Sequence, residues 1–359
     1  MSGTVTALRR RSRPAASARP RGRTSVMADP RALTVSAAVT STNAVRYLGD
    51  QIDSILAQTR LPDQVVVADA GSTDGSQELV RAYVERTRAA GLPVEWTILP
   101  SQPTPLDANM ARTYAACTGD VVVVCDHDDV CLPDRFAHAV EMFAARPELL
   151  LVHCEAEIVD SDGATVSTSM LRTEGVTADE LAQYRAGEGF RVLVRRFLAH
   201  GATAALRRDL LDLVPPVPHG FRTDAWLALL AAATGGVALD ERPGLRYRTH
   251  PTNTSGGVRR RGVGEKLRML REPGGERNAR LLARAEALVA GLDAIRPHVQ
   301  DWAYELAVDN LRHERVRSRY PRNRLLRAPH VLRTASGGAY DRLARGRKDV
   351  LLDLLQPIG

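Results

Sequence analysis

Apolar and polar positions along this chain follow two alternating periods. Leu33 to Val39 is a compact apolar run that reads as a buried strand. In 47–58 the spacing turns helical, with Leu48, Ile52, Ile55 and Leu56 on one face. The pattern repeats as a strand at 64–68, a helix at 76–88, a strand at 94–99, a helix at 105–116 and a strand at 121–125. Such alternation predicts an α/β fold: a mostly parallel sheet flanked by crossover helices, with ligands outside the carboxyl ends of the strands. Further on, the spacing predicts a helix at 136–144 and a hairpin from 149–159 and 164–167. Residues 168–189 read as irregular, 190–197 as helical, 200–203 as a strand or turn that leads into the apolar run 206–213. A helix is expected from Arg222 to about Ala233 and a short strand at 244–247. From 263 onward the chain reads as helical, with breaks at 273–275, Pro321, Pro329 and Gly337-Gly338.

Charge divides the chain further. Residues 1–31 hold eight Arg against Asp29, so this Arg-, Ser-, Pro- and Ala-rich leader carries the whole formal excess of +7. It reads as a disordered basic leader, either preceding a true start at Met27 or attracted to anionic lipid or nucleic acid. It has no apolar h-region of a secretory signal. A second basic zone, Arg312 to Lys348, mixes twelve Arg or Lys with scattered Leu and Val, the composition of an interfacial helix or of a solvated one. Aromatics make up 4% of the chain, too few for a surface that reads nucleic acid by stacking, and no nucleic-acid partner is expected. Cys117, Cys125, Cys131 and Cys154 show no CxxC spacing, which argues against zinc and for a reducing, cytoplasmic compartment.

The candidate chemistry sits at strand ends. Asp126, Asp128 and Asp129 put three carboxylates in four positions directly after the valine strand. Charges that dense repel one another and lose hydration unless a cation joins them, and hard oxygen ligands suit Mg²⁺ or Mn²⁺. The alternative is a solvated acidic turn before the helix that Pro133 and Asp134 would open. Thr40 and Asp69 also follow strands, so three separate loops converge on one edge of the sheet. Asp224 stands at a helix start, where an N-cap is the commoner role. Asn109 and Arg112 read as a polar helix face, and Trp226 as core.

Five segments resemble family 2 inverting glycosyltransferases, in the family's order, over residues 33–257. They are Val39-Thr40-Ser41-Thr42-Asn43 with Asp53 to Thr59; Asp69-Ala70-Gly71-Ser72-Thr73-Asp74-Gly75; Gly119-Asp120 through Asp126-His127-Asp128-Asp129 to Leu132-Pro133-Asp134-Arg135; Thr223-Asp224-Ala225-Trp226; and Arg246 to His250 with Asn253-Thr254-Ser255-Gly256. The last is similar to the closing motif of bacterial polysaccharide glycosyltransferases, rhamnosyltransferases among them.

The resemblance implies a GT-A fold over 32–257, nucleotide-binding to about 145 and acceptor-binding from about 146, followed by a basic helical C-terminal extension at 258–359. It implies that Thr40, Asn43, Asp69, Ser72 and Asp129 contact the donor nucleotide or orient its loop. Asp126 and Asp128, with His250 from the far side, would hold Mg²⁺ or Mn²⁺ and through it the diphosphate, and Asp224 would be the catalytic base. The partners implied are a nucleotide-diphosphate sugar and a glycan or lipid-linked acceptor, in polysaccharide or cell-envelope synthesis. The location expected is the cytoplasm, with peripheral contact at an anionic membrane face. Relatives carry two acids where this chain has Asp69-Ala70, and the second contacts uracil in some of them. Ala70 therefore weakens a UDP-sugar donor, and the closing motif favours dTDP-rhamnose. Two other readings stay open: a non-catalytic sugar-nucleotide- or glycan-binding relative, and a UDP-hexose enzyme acting on a small molecule.

Overall fold

The computed structural model describes residues 33–251, 253 and 274–357. The basic leader and the Thr254 to Gly256 part of the closing motif lie outside the described residues.

The amino-terminal half alternates as its pattern predicts. It runs β1 (Val35–Ser41), α1 (Leu48–Leu56), β2 (Gln64–Asp69), α2 (Ser76–Ala89), β3 (Glu95–Leu99), α3 (Leu106–Ala116) and β4 (Val121–Asp126). Next come β5 (Val130–Cys131), α4 (Arg135–Ala145), β6 (Leu151–Val159), β7 (Thr165–Ser167), α5 (Met170–Thr173), α6 (Ala178–Arg185) and α7 (Gly189–Leu193). A 3-10 turn at Gly201–Thr203 precedes β8 (Ala204–Arg207), α8 (Asp209–Leu213), α9 (Thr223–Ala233) and β9 (Val237–Arg248). The C-terminal helices are α10 (Gly274–Ala294), α11 (Asp301–Ser318), α12 (Arg324–Ser336), α13 (Ala339–Leu343) and α14 (Arg347–Leu355).

One sheet runs through the described residues in the order β3-β2-β1-β4-β8-β6-β9-β5, with β7 beside β6. The first four strands are mutually parallel; β8 then runs antiparallel to both β4 and β6. Strands β1, β2 and β4 are apolar on both faces because helices cover both. On one face Val39, Val67 and Val123 meet Leu48, Ile52 and Phe136 of α1 and α4. On the other, Ala38, Val66, Val122 and Val124 meet Met110 and Tyr114 of α3 and the α9 helix. Every residue of α9 is buried, which its Leu- and Ala-rich sequence permits.

The chain after α4 departs from the pattern in three places. Residues 168–189 contain α5 and α6 rather than irregular chain, and Thr177 with Glu180 forms a capping box at the start of α6. Strand β9 is twelve residues long, not four. The polar stretch Asp240 to Pro243 hid it: the register shifts on both sides of Glu155, so that Glu241-Arg242 and Gly244 bulge out of the β6–β9 ladder while Asp240 and Pro243 stay paired. Pro329 lies inside α12 and does not break it.

The C-terminal helices pack onto the α/β unit. Gly291 of α10 lies so close to the Trp226 ring that a Cβ there would clash. Trp226 is core, 1% exposed, with Nε1 donating to the Pro215 carbonyl at 3.0 Å.

Candidate active site

Parallel register brings the strand-end residues level. Thr40 pairs with Asp126 and Ser41 with Asp69 across β1, so the loops after β1, β2 and β4 leave the sheet side by side. The edge is stitched by polar side chains. Asp69 Oδ1 accepts from the backbone N–H of Gly71 (3.1 Å) and Ser72 (2.8 Å) and from Ser101 Oγ (2.5 Å). Its Oδ2 accepts from Ser41 Oγ (3.1 Å) and Ser72 Oγ (2.5 Å). Burial pushes this carboxyl up, but the Ser101 and Ser72 bonds outweigh it and hold Asp69 below the usual value. Asn43 adopts φ 46°, its N–H donates to Ser72 Oγ at 2.7 Å and its Oδ1 accepts from Thr73 N at 3.1 Å. Asp69, Asn43 and Ser72 thus fix the shape of the first two loops. Thr40 is 4% exposed at the sheet edge, and its carbonyl lies 3.2 Å from His127 Nδ1.

Asn109 and Arg112 buttress the same edge. Asn109 Nδ2 donates to the Ala68 carbonyl at 2.9 Å, and Arg112 donates to the carbonyls of Asp69 (2.6 Å) and Pro100 (2.8 Å). Asn109 is 1% exposed, so the plain polar helix face read from the sequence is instead a built support for β2.

The acidic loop divides its carboxylates between two tasks. Asp126 takes no hydrogen bond or ion pair from the described side chains. Burial raises its carboxyl to about 6, with Asp128 adding to the rise. Asp128 Oδ2 accepts from His250 Nε2 at 2.8 Å and Asn253 Nδ2 at 3.1 Å. His250 in turn stacks on Tyr47, centroids 5.3 Å apart. Asp129, expected to contact the donor or to orient its loop, is tied to β9. It is 1% exposed, and its Oδ1 accepts from the Arg248 N–H at 2.9 Å. Burial, then Asp128, holds its carboxyl well above the usual range. Its position anchors the loop to β9 rather than facing a ligand.

Among the described residues no three His, Cys, Asp or Glu side chains form a complete metal cage. A cage is not needed for Mg²⁺ or Mn²⁺ held jointly with substrate phosphates, where one or two carboxylates suffice. Asp126, without a partner among the described residues and raised by burial and then by Asp128, fits that use.

Asp224 opens α9 at 4% exposure. Its Oδ1 accepts from Ala225 N (2.8 Å) and Arg222 Nε (3.2 Å), its Oδ2 from Gly201 N (3.1 Å) and Arg222 Nη2 (2.9 Å). Thr223 donates its N–H and hydroxyl to Asp107 Oδ1, both at 3.0 Å, which ties α9 to α3. The carboxylates of Asp224 and Asp126 share one neighbourhood: after burial, these two raise the Tyr114 phenol most. Thus the structure brings Thr40, Asp69, Asp126, Asp128, His250 and Asp224 to the same edge.

Three arginines of this site had no role assigned from the sequence. Arg222 clamps Asp224. Arg248, its side chain 6% exposed, donates to the Asp128 carbonyl (2.8 Å) and Asp50 Oδ2 (3.1 Å) and lies 4.7 Å from the Tyr47 centroid. Arg135 donates to the carbonyls of Val124 (2.8 Å) and Ala202 (2.5 Å), joining β4, just before the acidic loop, to the turn that holds Asp224. Arg135 and Arg248 stand inside the quoted motifs, a usable signal; Asp107 had none.

A cleft of 1730 Å³ opens between α5–α7 and the C-terminal helices; Ala225 lines it, whereas Asp224 and the strand-end residues do not. Phe197, Phe221, Ala225, Leu229 and Leu288 give it apolar walls, and Arg284 lies 4.5 Å over the Phe221 ring.

Comparison with known proteins bears on what this edge does. An uncharacterized glycosyltransferase of Nostoc sp. is 28% identical over 223 residues, 61% of this chain and 66% of that protein. The amylovoran biosynthesis glycosyltransferase AmsE of Erwinia amylovora is 31% identical over 106 residues, 28% of this chain and 36% of that protein. The chain thus spans less than two thirds of the length of these relatives. Among solved structures, S. aureus TarS with UDP-GlcNAc aligns over 90% of this chain and 89% of that one at 14% identity and a TM-score of 0.49. The family model for glycosyl transferase family 2 matches residues 36–214, which contain every strand-end loop described above, and the chain belongs to that family.

Proposed function

We propose that this protein transfers a sugar, with inversion, from a nucleotide-diphosphate donor to a hydroxyl of a glycan or lipid-linked acceptor. The observation that carries this reading is the Asp126 carboxylate, without a partner among the described residues, in the same neighbourhood as Asp224, on the ligand edge of the sheet. The Thr40, Asn43 and Ser72 edge would receive the nucleoside, and Asp69 would keep that edge in shape. Asp126 and Asp128 would hold Mg²⁺ or Mn²⁺, with His250 supporting Asp128. That cation would neutralise charge on the departing diphosphate.

Asp224 would accept the proton of the acceptor hydroxyl as its oxygen attacks C1. The C1–O bond to the diphosphate breaks in the same displacement, and its electron pair leaves with the phosphate. Arg222 must move off Asp224 first, and its 43% side-chain exposure leaves it room to do so. The acceptor would approach Asp224 from the side of the cleft that Ala225 lines, between α5–α7 and the C-terminal helices. The similarity to an amylovoran biosynthesis enzyme favours a glycan product.

Ala70 and the closing motif favour dTDP-rhamnose as donor. Release of nucleoside diphosphate by purified protein with Mn²⁺, compared across dTDP-rhamnose, UDP-glucose, UDP-galactose and GDP-mannose, tests this. Turnover of UDP-hexoses alone would discard rhamnose while leaving the transfer reaction standing. A second reading, a sugar-nucleotide binder without transfer, is favoured by the four donors that already occupy Asp224. Donor binding with no turnover in the presence of cell-envelope acceptors would select it.

A further inference from the structure

Helix α12 is amphipathic in the wrong sense for a soluble surface. Leu325, Leu326 and Leu332 are 83%, 65% and 56% exposed. Arg327 and Val331, on the inner side, are 0% exposed. Arg327 donates to the backbone carbonyls of Leu354 (3.2 Å) and Gln356 (2.7 Å) at the end of α14. At roughly 100° per residue, Leu325, Pro329 and Leu332 fall on one arc, with Leu326 at its side. The exposed Arg322, Arg324 and Arg333 flank that arc. From Arg315 to Tyr340 the sequence contains no acid.

An outward apolar strip rimmed by one sign of charge marks a contact surface. We propose that this face of α12 seats on an anionic lipid bilayer. Leu325, Leu326 and Leu332 enter the boundary between headgroups and acyl chains, while Arg322, Arg324 and Arg333 meet lipid phosphates. A second copy of the chain is the poorer occupant. A two-fold interface would set this arginine rim against itself. No described helix is long and apolar enough to cross a membrane, so the contact is peripheral at this face. The inference does not depend on the sugar-transfer reading, because it is tested without donor or acceptor.

The experiment is flotation of the full chain with vesicles of phosphatidylcholine alone and of phosphatidylcholine with about a third phosphatidylglycerol, at about 0.1 M salt. Binding is expected to the anionic vesicles only. The double variant Leu325→Gln/Leu332→Gln should lower the partition coefficient by roughly tenfold or more with an unchanged melting temperature. An independent pair, Arg324→Gln/Arg333→Gln, should weaken binding to anionic vesicles by roughly tenfold. Absence of flotation with either vesicle overturns the proposal. So does equal binding by the leucine variant, which would move the contact to the basic leader. A dimer in sedimentation that the leucine variant dissociates also overturns it and assigns the face to a second copy.

Discussion

Asp224→Asn separates the chemistry of Asp224 from its structural work. The wild-type carboxylate receives two donors on each oxygen: Ala225 N and Arg222 Nε on Oδ1, Gly201 N and Arg222 Nη2 on Oδ2. An asparagine side chain has one acceptor oxygen. Whichever way its amide turns, the NH₂ faces one backbone N–H and one guanidinium N–H. One buried backbone donor is left unpaired, a cost of about 1–3 kcal/mol. The exposed half of the Arg222 pair adds little, because solvent screens it. The variant should therefore fold, with its melting temperature lowered by a few degrees. Its loss in turnover should be far larger. Removing a positioned base lowers kcat by roughly 10²- to 10⁴-fold, and donor KM should stay within about threefold because the residue lies on the acceptor side of the reaction. The assay is release of nucleoside diphosphate from the preferred donor, with circular dichroism melting alongside. A folded variant whose kcat stays within about threefold of wild type would refute the base assignment.

Buried groups of the site and of the C-terminal helices give further expected outcomes. Arg248→Met removes donors to the Asp128 carbonyl and Asp50; it should cost about 2–4 kcal/mol in urea unfolding and raise donor KM more than it lowers kcat. Asp353→Asn leaves the buried Arg317 with Glu314 as its one carboxylate among the described residues and weakens the Tyr340 hydroxyl bond (2.6 Å); a loss of about 3–5 kcal/mol is expected. Burial, with Arg317 nearby, pushes the His313 imidazole down to about 4. The unfolded chain takes up that proton below about pH 6.5 and the native chain does not, so His313 contributes stability above about 6.5 that is lost as pH falls through about 4. Denaturant midpoints should drop across that window, by up to ~3 kcal/mol, and His313→Phe should flatten the drop. Gly291→Leu would force α10 off Trp226 and should destabilise by about 1–3 kcal/mol, read by tryptophan fluorescence during unfolding.

The amino-terminal half was legible because its central strands are apolar on both faces and its helices on one, so each period stands alone in the sequence. The strand-end residues followed from topology: once β1, β2 and β4 are parallel, Thr40, Asp69 and Asp126 must meet. Strand β9 was hidden because Glu241-Arg242 and Gly244 bulge out of the ladder and the polar stretch Asp240 to Arg242 breaks its apolar run. The roles of Arg135, Arg222 and Arg248 depend on which distant carbonyl or carboxylate each side chain reaches, and periodicity does not report contacts of that range. Asp129 shows the same limit, because its neighbours in sequence face the ligand edge while it turns to β9. The outward leucines of α12 were visible only as a mixed basic segment; the structure gives them a direction.

Titration calorimetry of a nucleoside diphosphate onto this protein, with and without Mn²⁺, tests the central claim most directly. The base is chosen to match the donor that turns over. If the acidic loop receives the diphosphate through a cation, binding should require Mn²⁺ and should weaken at least about tenfold in Asp126→Asn. Equal affinity without the cation and in the variant would contradict the account.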